Sequence, residues 1–135
     1  MPRSILFGLA AVTAASFSFG AHAAAVEVKV ANAAPKGEIY VSLCTEVEFL
    51  QACKLSRKVA IGQTARFEAA PGRYAMMAFQ DVDGDGKMER GDFGQPLEPW
   101  AISRDAKAEG GPPSFEDAVV VVVAGENSFT VNLNR

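Results

Sequence analysis

Histidine is almost absent from this chain, whose 135 residues include only His22. We expect His22 to be removed with a signal peptide, and a mature chain without histidine has no imidazole to act as a base, a nucleophile or a metal ligand. This excludes catalysis by a Ser-His-Asp triad and most zinc and copper sites. Basic residues are not in excess either, because the formal net charge is −3 at pH 7. A mildly acidic surface does not attract nucleic acid or anionic lipid, so neither is an expected partner.

Apolar runs long enough to span a bilayer as a mature helix are also lacking. The apolar stretch Ile5–Ala15 is too short for that role, and it lies between the positive charge of Arg3 and the small-residue pattern Ala21-His22-Ala23. This order of segments is typical of a secretory signal peptide. We therefore predict a signal peptide over residues 1–23, one mature domain over residues 24–135, no membrane span, and a periplasmic or secreted location.

Cysteine is scarce, with only Cys44 and Cys53 in the chain. An even pair in an exported protein is most simply a disulfide. The eight residues between the two cysteines differ from the Cys-x-x-Cys spacing of thiol redox enzymes. We predict a structural disulfide, which would stabilise the fold by roughly 2.5 to 3 kcal/mol on the chain-entropy estimate. A free or redox-active pair is the alternative.

Helical periodicity is also rare, and apolar and polar residues alternate with period two instead. One or two helical turns are predicted over Glu46–Ala52, a central strand buried on both faces over Arg73–Gln80, and a well-buried strand over the valine run Ala118–Ala124. The other predicted strands lie near residues 26–30, 39–43, 59–61, 65–69, 100–103 and 129–133. This pattern predicts an all-β fold, a single β-sandwich of about seven strands that is immunoglobulin-like or transthyretin-like (prealbumin-like). A small closed barrel is the alternative.

One acidic loop, Asp81–Asp92, offers the best-defined chemistry in the chain. Aspartates recur at alternate positions and a glycine stands at the sixth, which is the ligand spacing of a calcium loop with Asp in place of the usual final Glu. In that interpretation the predicted metal ligands are Asp81, Asp83, Asp85, the carbonyl of Lys87, Glu89 and Asp92, and the cofactor is calcium. The alternative is a solvated turn, because Asp-Gly pairs form turns and aspartate side chains cap their own backbone.

Several stretches of the chain resemble one known family. They are Lys36-Gly37, Pro71–Ala75, the acidic loop, Gly94–Glu98 and Gly111–Ala118. From about Val26 to its end, the chain is similar to the bacterial exported proteins grouped as domain of unknown function 2141. The resemblance implies a β-sandwich of transthyretin-like or carboxypeptidase-regulatory-like type and no established activity. Gln80 stands where the members resembled often have a histidine, so any metal or catalytic role of that histidine is missing here.

Three functions remain open for such a domain. The leading hypothesis is a non-enzymatic exported protein that binds calcium through Asp81–Asp92 and has a binding or envelope-structural role. The alternative is a small-ligand or protein-binding module that uses the Gly/Pro-rich segment 91–114 and binds no ion. Aromatic residues on loops can line a ligand pocket, but Phe93, Trp100 and Phe115 are expected to plug the end of the sandwich core instead. The third is a carboxylate-based hydrolase, although its aspartates crowd one turn instead of flanking a cleft.

Overall fold

Two β-sheets packed face to face form the framework of the structure, a computed structural model that describes residues 23–134. The predicted signal peptide, apart from Ala23, lies outside the described residues. Two short helical segments accompany the strands, the 3-10 turn Ser103–Asp105 and helix α1 (Phe115–Ala118). The strands are β1 (Ala24–Ala31), β2 (Glu38–Cys44), β3 (Leu55–Ala60), β4 (Ala65–Ala69), β5 (Gly72–Asp81), β6 (Trp100–Ile102), β7 (Val120–Val122) and β8 (Gly125–Asn132). The prediction of an all-β sandwich is confirmed.

The first sheet, sheet A, has the strand order β4-β1-β8, with β1 antiparallel to β4 and parallel to β8. The second sheet, sheet B, has the order β3-β2-β5-β6, and all its strand pairs are antiparallel. The short strand β7 also pairs with β5, at the residues where β5 begins. Strand β5 therefore lies at the centre of sheet B, as its apolar sequence predicted.

The main core lies between the two sheets. Alternate side chains of each strand point inward because successive residues of a strand face opposite sides of the sheet. In β1, for example, Val26 and Val28 are 1% and 0% exposed, whereas Ala25 between its buried neighbours is exposed. The larger side chains of this core come from both sheets and are Val26, Val28, Ile39, Val41, Leu43, Phe67, Tyr74, Met76, Val122, Val131 and Leu133.

A second core covers part of the outer face of sheet B. It consists of three alanines, two phenylalanines and one isoleucine, namely Phe49, Ala75, Ile102, Ala106, Phe115 and Ala118, with Met77, Trp100 and Val119 packed against it. Strand β5 contributes Ala75 to this core and Met76 to the main core. The prediction of a central strand buried on both faces is therefore confirmed.

Two local predictions differ from the structure. The valine run is not one buried strand over Ala118–Ala124, because Ala118 ends helix α1 and β7 spans only three residues. A capping box formed by Ser114 and Asp117 begins that helix. The side chains of Val121 and Val123 are 63% and 54% exposed, since only the alternate residue between them points into the core.

The segment predicted as helical turns, residues 46–52, contains hydrogen-bonded turns and no helix. It is closed by a disulfide between Cys44 and Cys53, whose Cα atoms are 5.2 Å apart. Within the described residues, no helix combines the length and the apolar character needed to cross a membrane. Of the three aromatic residues expected to plug the core, Phe115 is buried and Trp100 is half-buried, but Phe93 is 94% exposed at a loop turn.

Candidate metal site

The candidate site begins where β5 ends, and the register of sheet B brings its two buried carboxylates together. Phe79 of β5 lies opposite Trp100 of β6. The ladder continues past that pair, because the backbone N–H of Gln80 donates to the carbonyl of the residue before Trp100, at 2.8 Å. Extended past the start of β6, this register places Asp81 opposite Glu98, on the face that carries Phe79 and Trp100.

Asp81 is only 2% exposed, and the chain that follows it curls back over its carboxylate. The backbone N–H of Gly84 donates to Oδ1 at 3.0 Å, and the N–H of Gly86 donates to Oδ2 at 2.7 Å. Both glycines have positive φ values, 78° and 75°, which a residue with a side chain adopts only with strain. The glycines of the acidic loop therefore permit the curl that encloses Asp81.

Glu98 is 8% exposed and connects two other parts of the loop. Its Oε2 accepts a hydrogen bond from the backbone N–H of Val82 at 2.7 Å. Its Oε1 accepts one from the backbone N–H of Glu89 at 3.0 Å. Each of the two buried carboxylates thus accepts backbone hydrogen bonds through both oxygens, which fixes its position without neutralising its charge.

Two exposed aspartates complete the group. One oxygen from each of Asp81, Asp83, Asp85 and Glu98 can be chosen so that all four lie within 4.8 Å of one another, and we call these residues the carboxylate cluster. Hydrogen bonds within the loop orient the exposed pair, since the N–H of Asp85 donates to Asp83 Oδ1 at 3.2 Å and the N–H of Lys87 donates to Asp85 Oδ1 at 2.9 Å. This cluster of acidic residues could hold a metal ion.

No salt bridge joins the cluster to a basic residue in the described chain, although the charge of Lys87 acts on Asp85. The salt bridges there join Lys58 to Glu38, Arg66 to Glu27 and Arg73 to Glu116, none of them a cluster residue. The neighbouring Glu89 responds to this concentration of negative charge. Hydrogen bonding to Asp83 first and Asp85 second, together with their charges, raises the pKa of Glu89 to about 7. The backbone hydrogen bond from Lys87 instead lowers the pKa of Asp85.

Comparison with known protein families shows which family the chain belongs to. The model of an uncharacterized protein conserved in bacteria, DUF2141, matches residues 26–130. The chain belongs to the DUF2141 family. The resemblance seen in the sequence is thereby confirmed. No curated protein and no solved structure matches this DUF2141 chain. The family is itself described as uncharacterized, so membership assigns no activity.

In this DUF2141 chain, the predicted ligands do not all come together. Asp81, Asp83 and Asp85 belong to the carboxylate cluster, and Glu89 lies beside it. Lys87 is exposed, and its N–H supports Asp85 as described above. Asp92 is exposed and is not among the four cluster residues, whereas Glu98, which was not predicted, is one of them.

The position of Asp92 has a local cause. The chain reverses directly around it, because the N–H of Gly94 donates to the carbonyl of Gly91 and the N–H of Gly91 donates to the carbonyl of Gln95, both at 2.9 Å. The reversed chain then runs back toward β5 and delivers Glu98. Sequence reasoning on the loop alone missed Glu98, although pairing the strand near Trp100 with β5 in antiparallel register would have placed it opposite Asp81.

Gln80, the residue at the family position noted above, faces away from the cluster. It is fully buried and binds the connection between β1 and β2: its Nε2 donates to the carbonyls of Ala34 and Lys36 at 2.7 and 2.8 Å, and its Oε1 accepts from the N–H of Ala34 at 2.7 Å. Gly37, which follows Lys36 in this connection, has a φ of 105°, and a Cβ there would overlap the carbonyl oxygen of Asp81. Gln80 and Gly37 therefore hold this connection against the end of β5.

Proposed function

We propose that this chain is an exported, non-enzymatic β-sandwich protein that binds calcium at the carboxylate cluster and has a binding or structural role in the cell envelope. The observation that carries the proposal is the buried pair of Asp81 and Glu98, two carboxylates that face each other beside two more aspartates. A buried charge without a partner is unfavourable, so a group of buried and crowded carboxylates favours a bound cation.

The electrostatic argument can be given a scale. Two unit negative charges 4.8 Å apart repel by about 3.5 kcal/mol at an effective dielectric constant of about 20. Asp83, Asp85 and Glu89 add further repulsion, and the raised pKa of Glu89 reflects it. A divalent cation among the four cluster residues would replace this repulsion with attraction.

Calcium fits the chemistry of the donors better than other common metals. All four side chains offer carboxylate oxygens, the ligands of hard cations, and no histidine or cysteine belongs to the cluster. Two of the carboxylates are buried and held by backbone hydrogen bonds, whereas the other two belong to an exposed curl. Calcium accepts six to eight oxygens in irregular arrangements, while magnesium demands a nearly ideal octahedron. Backbone carbonyls and water would supply the remaining ligands.

Two observations support export. A disulfide is typical of proteins that fold in an oxidising compartment, and Cys44 and Cys53 form one. The sequence of residues 1–23 has the segment order of a signal peptide. N-terminal sequencing of the protein recovered from an exporting host would test this part of the proposal, with a new N-terminus near Ala24 as the expected result.

The calcium proposal is tested by thermal unfolding in chelator and in calcium, with titration calorimetry to count sites. We expect one site per chain with a dissociation constant on the order of 0.1 to 1 mM, as in extracellular modules. The variant Asp83→Asn/Asp85→Asn should lose most of the calcium response. The matched control Glu68→Gln/Glu126→Gln also removes two negative charges, but from exposed positions on sheet A, and it should keep the calcium response. An unchanged melting temperature and no heat of binding for the natural protein would refute calcium binding.

One observation favours the ion-independent binding module as a second candidate. Phe93 and Leu97, both in the Gly/Pro-rich segment, are 94% and 62% exposed, and large apolar side chains at such positions are typical of recognition surfaces. This candidate predicts that Phe93→Ala abolishes capture of a partner while chelator does not. The calcium proposal predicts instead that chelator abolishes capture of the partner.

A further inference from the structure

A short strap crosses the second core and is closed by the disulfide. The strap, residues 45–52, lies between Cys44 at the end of β2 and Cys53 before β3. Three backbone hydrogen bonds shape it, from Glu48 to Thr45, from Phe49 to Glu46 and from Gln51 to Glu48, at 3.1, 3.4 and 2.8 Å. All three lie within the strap, so they shape it without attaching it to either sheet.

Phe49 is the one buried side chain of the strap. It is 9% exposed and meets the ring of Phe115 edge to face, with ring centroids 5.8 Å apart. The other large apolar side chains of the strap point outward, since Val47 is 83% and Leu50 is 42% exposed. Leu50 also has a φ of 63°, a left-handed conformation that disfavours the ordered form of the strap. Burial of one phenylalanine must therefore offset the ordering of eight residues.

The surface beneath Phe49 is apolar and separate from the main core. Its other buried members are Ala75, Ile102, Ala106, Phe115 and Ala118, of which three are alanines. Small side chains fill little space, so Phe49 supplies a large share of the apolar volume of the second core. Since the main core lies on the opposite face of sheet B, the strap can leave without opening the contact between the two sheets.

We propose that the Cys44–Cys53 disulfide is a redox latch, whose reduction releases the strap, withdraws Phe49 from the second core and uncovers the outer face of sheet B while the main core stays folded. Ordering eight residues costs conformational entropy, and once the covalent closure is lost the burial of Phe49 is the main apolar contact that opposes release of the strap. This inference is independent of calcium binding, because it uses none of the cluster residues.

The two sulfurs differ in access, which sets the order of the reaction. Cys44 is fully buried and its Sγ lies 3.8 Å from Met77 Sδ, whereas Cys53 is half-buried. A thiolate of a dithiol reductant attacks the Cys53 sulfur, the bond between the two cysteines breaks, and Cys44 leaves as a thiolate that takes up a proton. The second thiol of the reductant then attacks its own mixed disulfide and releases Cys53. The protein gains two thiols, and the reductant becomes a disulfide.

Trp100 provides a built-in reporter for the test. It is the only tryptophan in the sequence, and it packs against the second core. The experiment measures quenching of Trp100 by acrylamide and amide hydrogen exchange of the full chain, with and without dithiothreitol as the dithiol. We expect stronger quenching after reduction and exchange in the strap faster by about tenfold or more, with β1 and β8 unchanged.

Three variants make the result decisive. Phe49→Ala should show the stronger Trp100 quenching without reductant, while its matched control Val47→Ala, in the same strap, should behave like the natural protein. Cys53→Ser should have a released strap without reductant and should show no further change with dithiothreitol. Far-UV circular dichroism is the control that each variant is folded. Unchanged strap protection after reduction would overturn the proposal. Loss of protection in β1 and β8 together with the strap would overturn it too, because the disulfide would then hold the whole fold.

Discussion

Two single substitutions, each of which removes one negative charge, test whether the calcium ligands are those of the carboxylate cluster or those of the loop motif. The motif makes Asp92 the last ligand, whereas the structure puts Glu98 in the cluster and Asp92 outside it. Glu98→Gln and Asp92→Asn are matched, since each replaces a carboxylate with its amide and changes the net charge equally. We expect only Glu98→Gln to reduce the calcium response.

The magnitude follows from linkage between binding and stability. At a calcium concentration ten times the dissociation constant, binding stabilises the natural protein by about 1.4 kcal/mol, or about 6 °C in a domain of this size. Removing a carboxylate within 4.8 Å of the other ligands should weaken binding by at least about tenfold, because a pair of unit charges about 4 Å apart near a protein surface contributes about 4 kcal/mol. The remaining stabilisation in Glu98→Gln is then about 0.4 kcal/mol, or about 2 °C.

Thermal melts of the three proteins, each in chelator and in the same calcium concentration, provide the measurement. Asp92→Asn should keep the full shift of the natural protein. A loss confined to Asp92→Asn would show that the loop motif, and not the pairing of β5 with β6, identifies the ligand. Equal losses in both variants would show that calcium responds only to the overall charge of this end of the molecule.

Further measurements test the remaining conclusions. The pKa of Glu89 is raised to about 7 from its usual 4.5, so in chelator the stability due to this group should be greatest below pH 4.5 and fall as the pH rises to 7. Glu89→Gln should flatten that dependence in pH-resolved melts, and an unaltered slope would contradict the assignment. Trp100→Ala should lower the free energy of unfolding by about 3 kcal/mol because Trp100 packs on the second core. Phe93→Ala should change it by less than about 0.5 kcal/mol in the same denaturant melts. Thiol labelling of the denatured, unreduced protein should find neither Cys44 nor Cys53 free, and labelling of both would disprove the disulfide.

The strands of the sandwich could be predicted because their sequences alternate. Val26, Val28 and Val30, for example, are separated by charged residues, and this pattern has one stable solution on a half-buried sheet. The valine run before β8 could not be assigned in this way, since valines at successive positions do not show which side chains face the core. The start of helix α1, just before this run, could have been predicted from Ser114 and Asp117, the two residues of the capping box.

The site could be predicted only as far as it is local. Asp81, Asp83 and Asp85 lie within five residues, so a single curl of the chain brings them together. Glu98 comes from the other side of a hairpin, and its contact with Asp81 depends on a strand register that the loop sequence does not contain. The second core was missed for a related reason, because it combines a strap, a central strand and a helix that are distant in sequence.

The parallel pairing of β1 with β8 has a consequence for the way the chain folds. Ala24 lies opposite Gly125, and the register continues to Ala31 opposite Asn132, so the first strand has its second neighbour about a hundred residues later. Until β8 has been synthesised, β1 keeps one open edge and sheet A has only two strands. Contacts this distant in sequence slow folding, because a long loop must close before they form. Sheet A therefore cannot be completed before β8, the last strand of the described chain, is available to pair with β1.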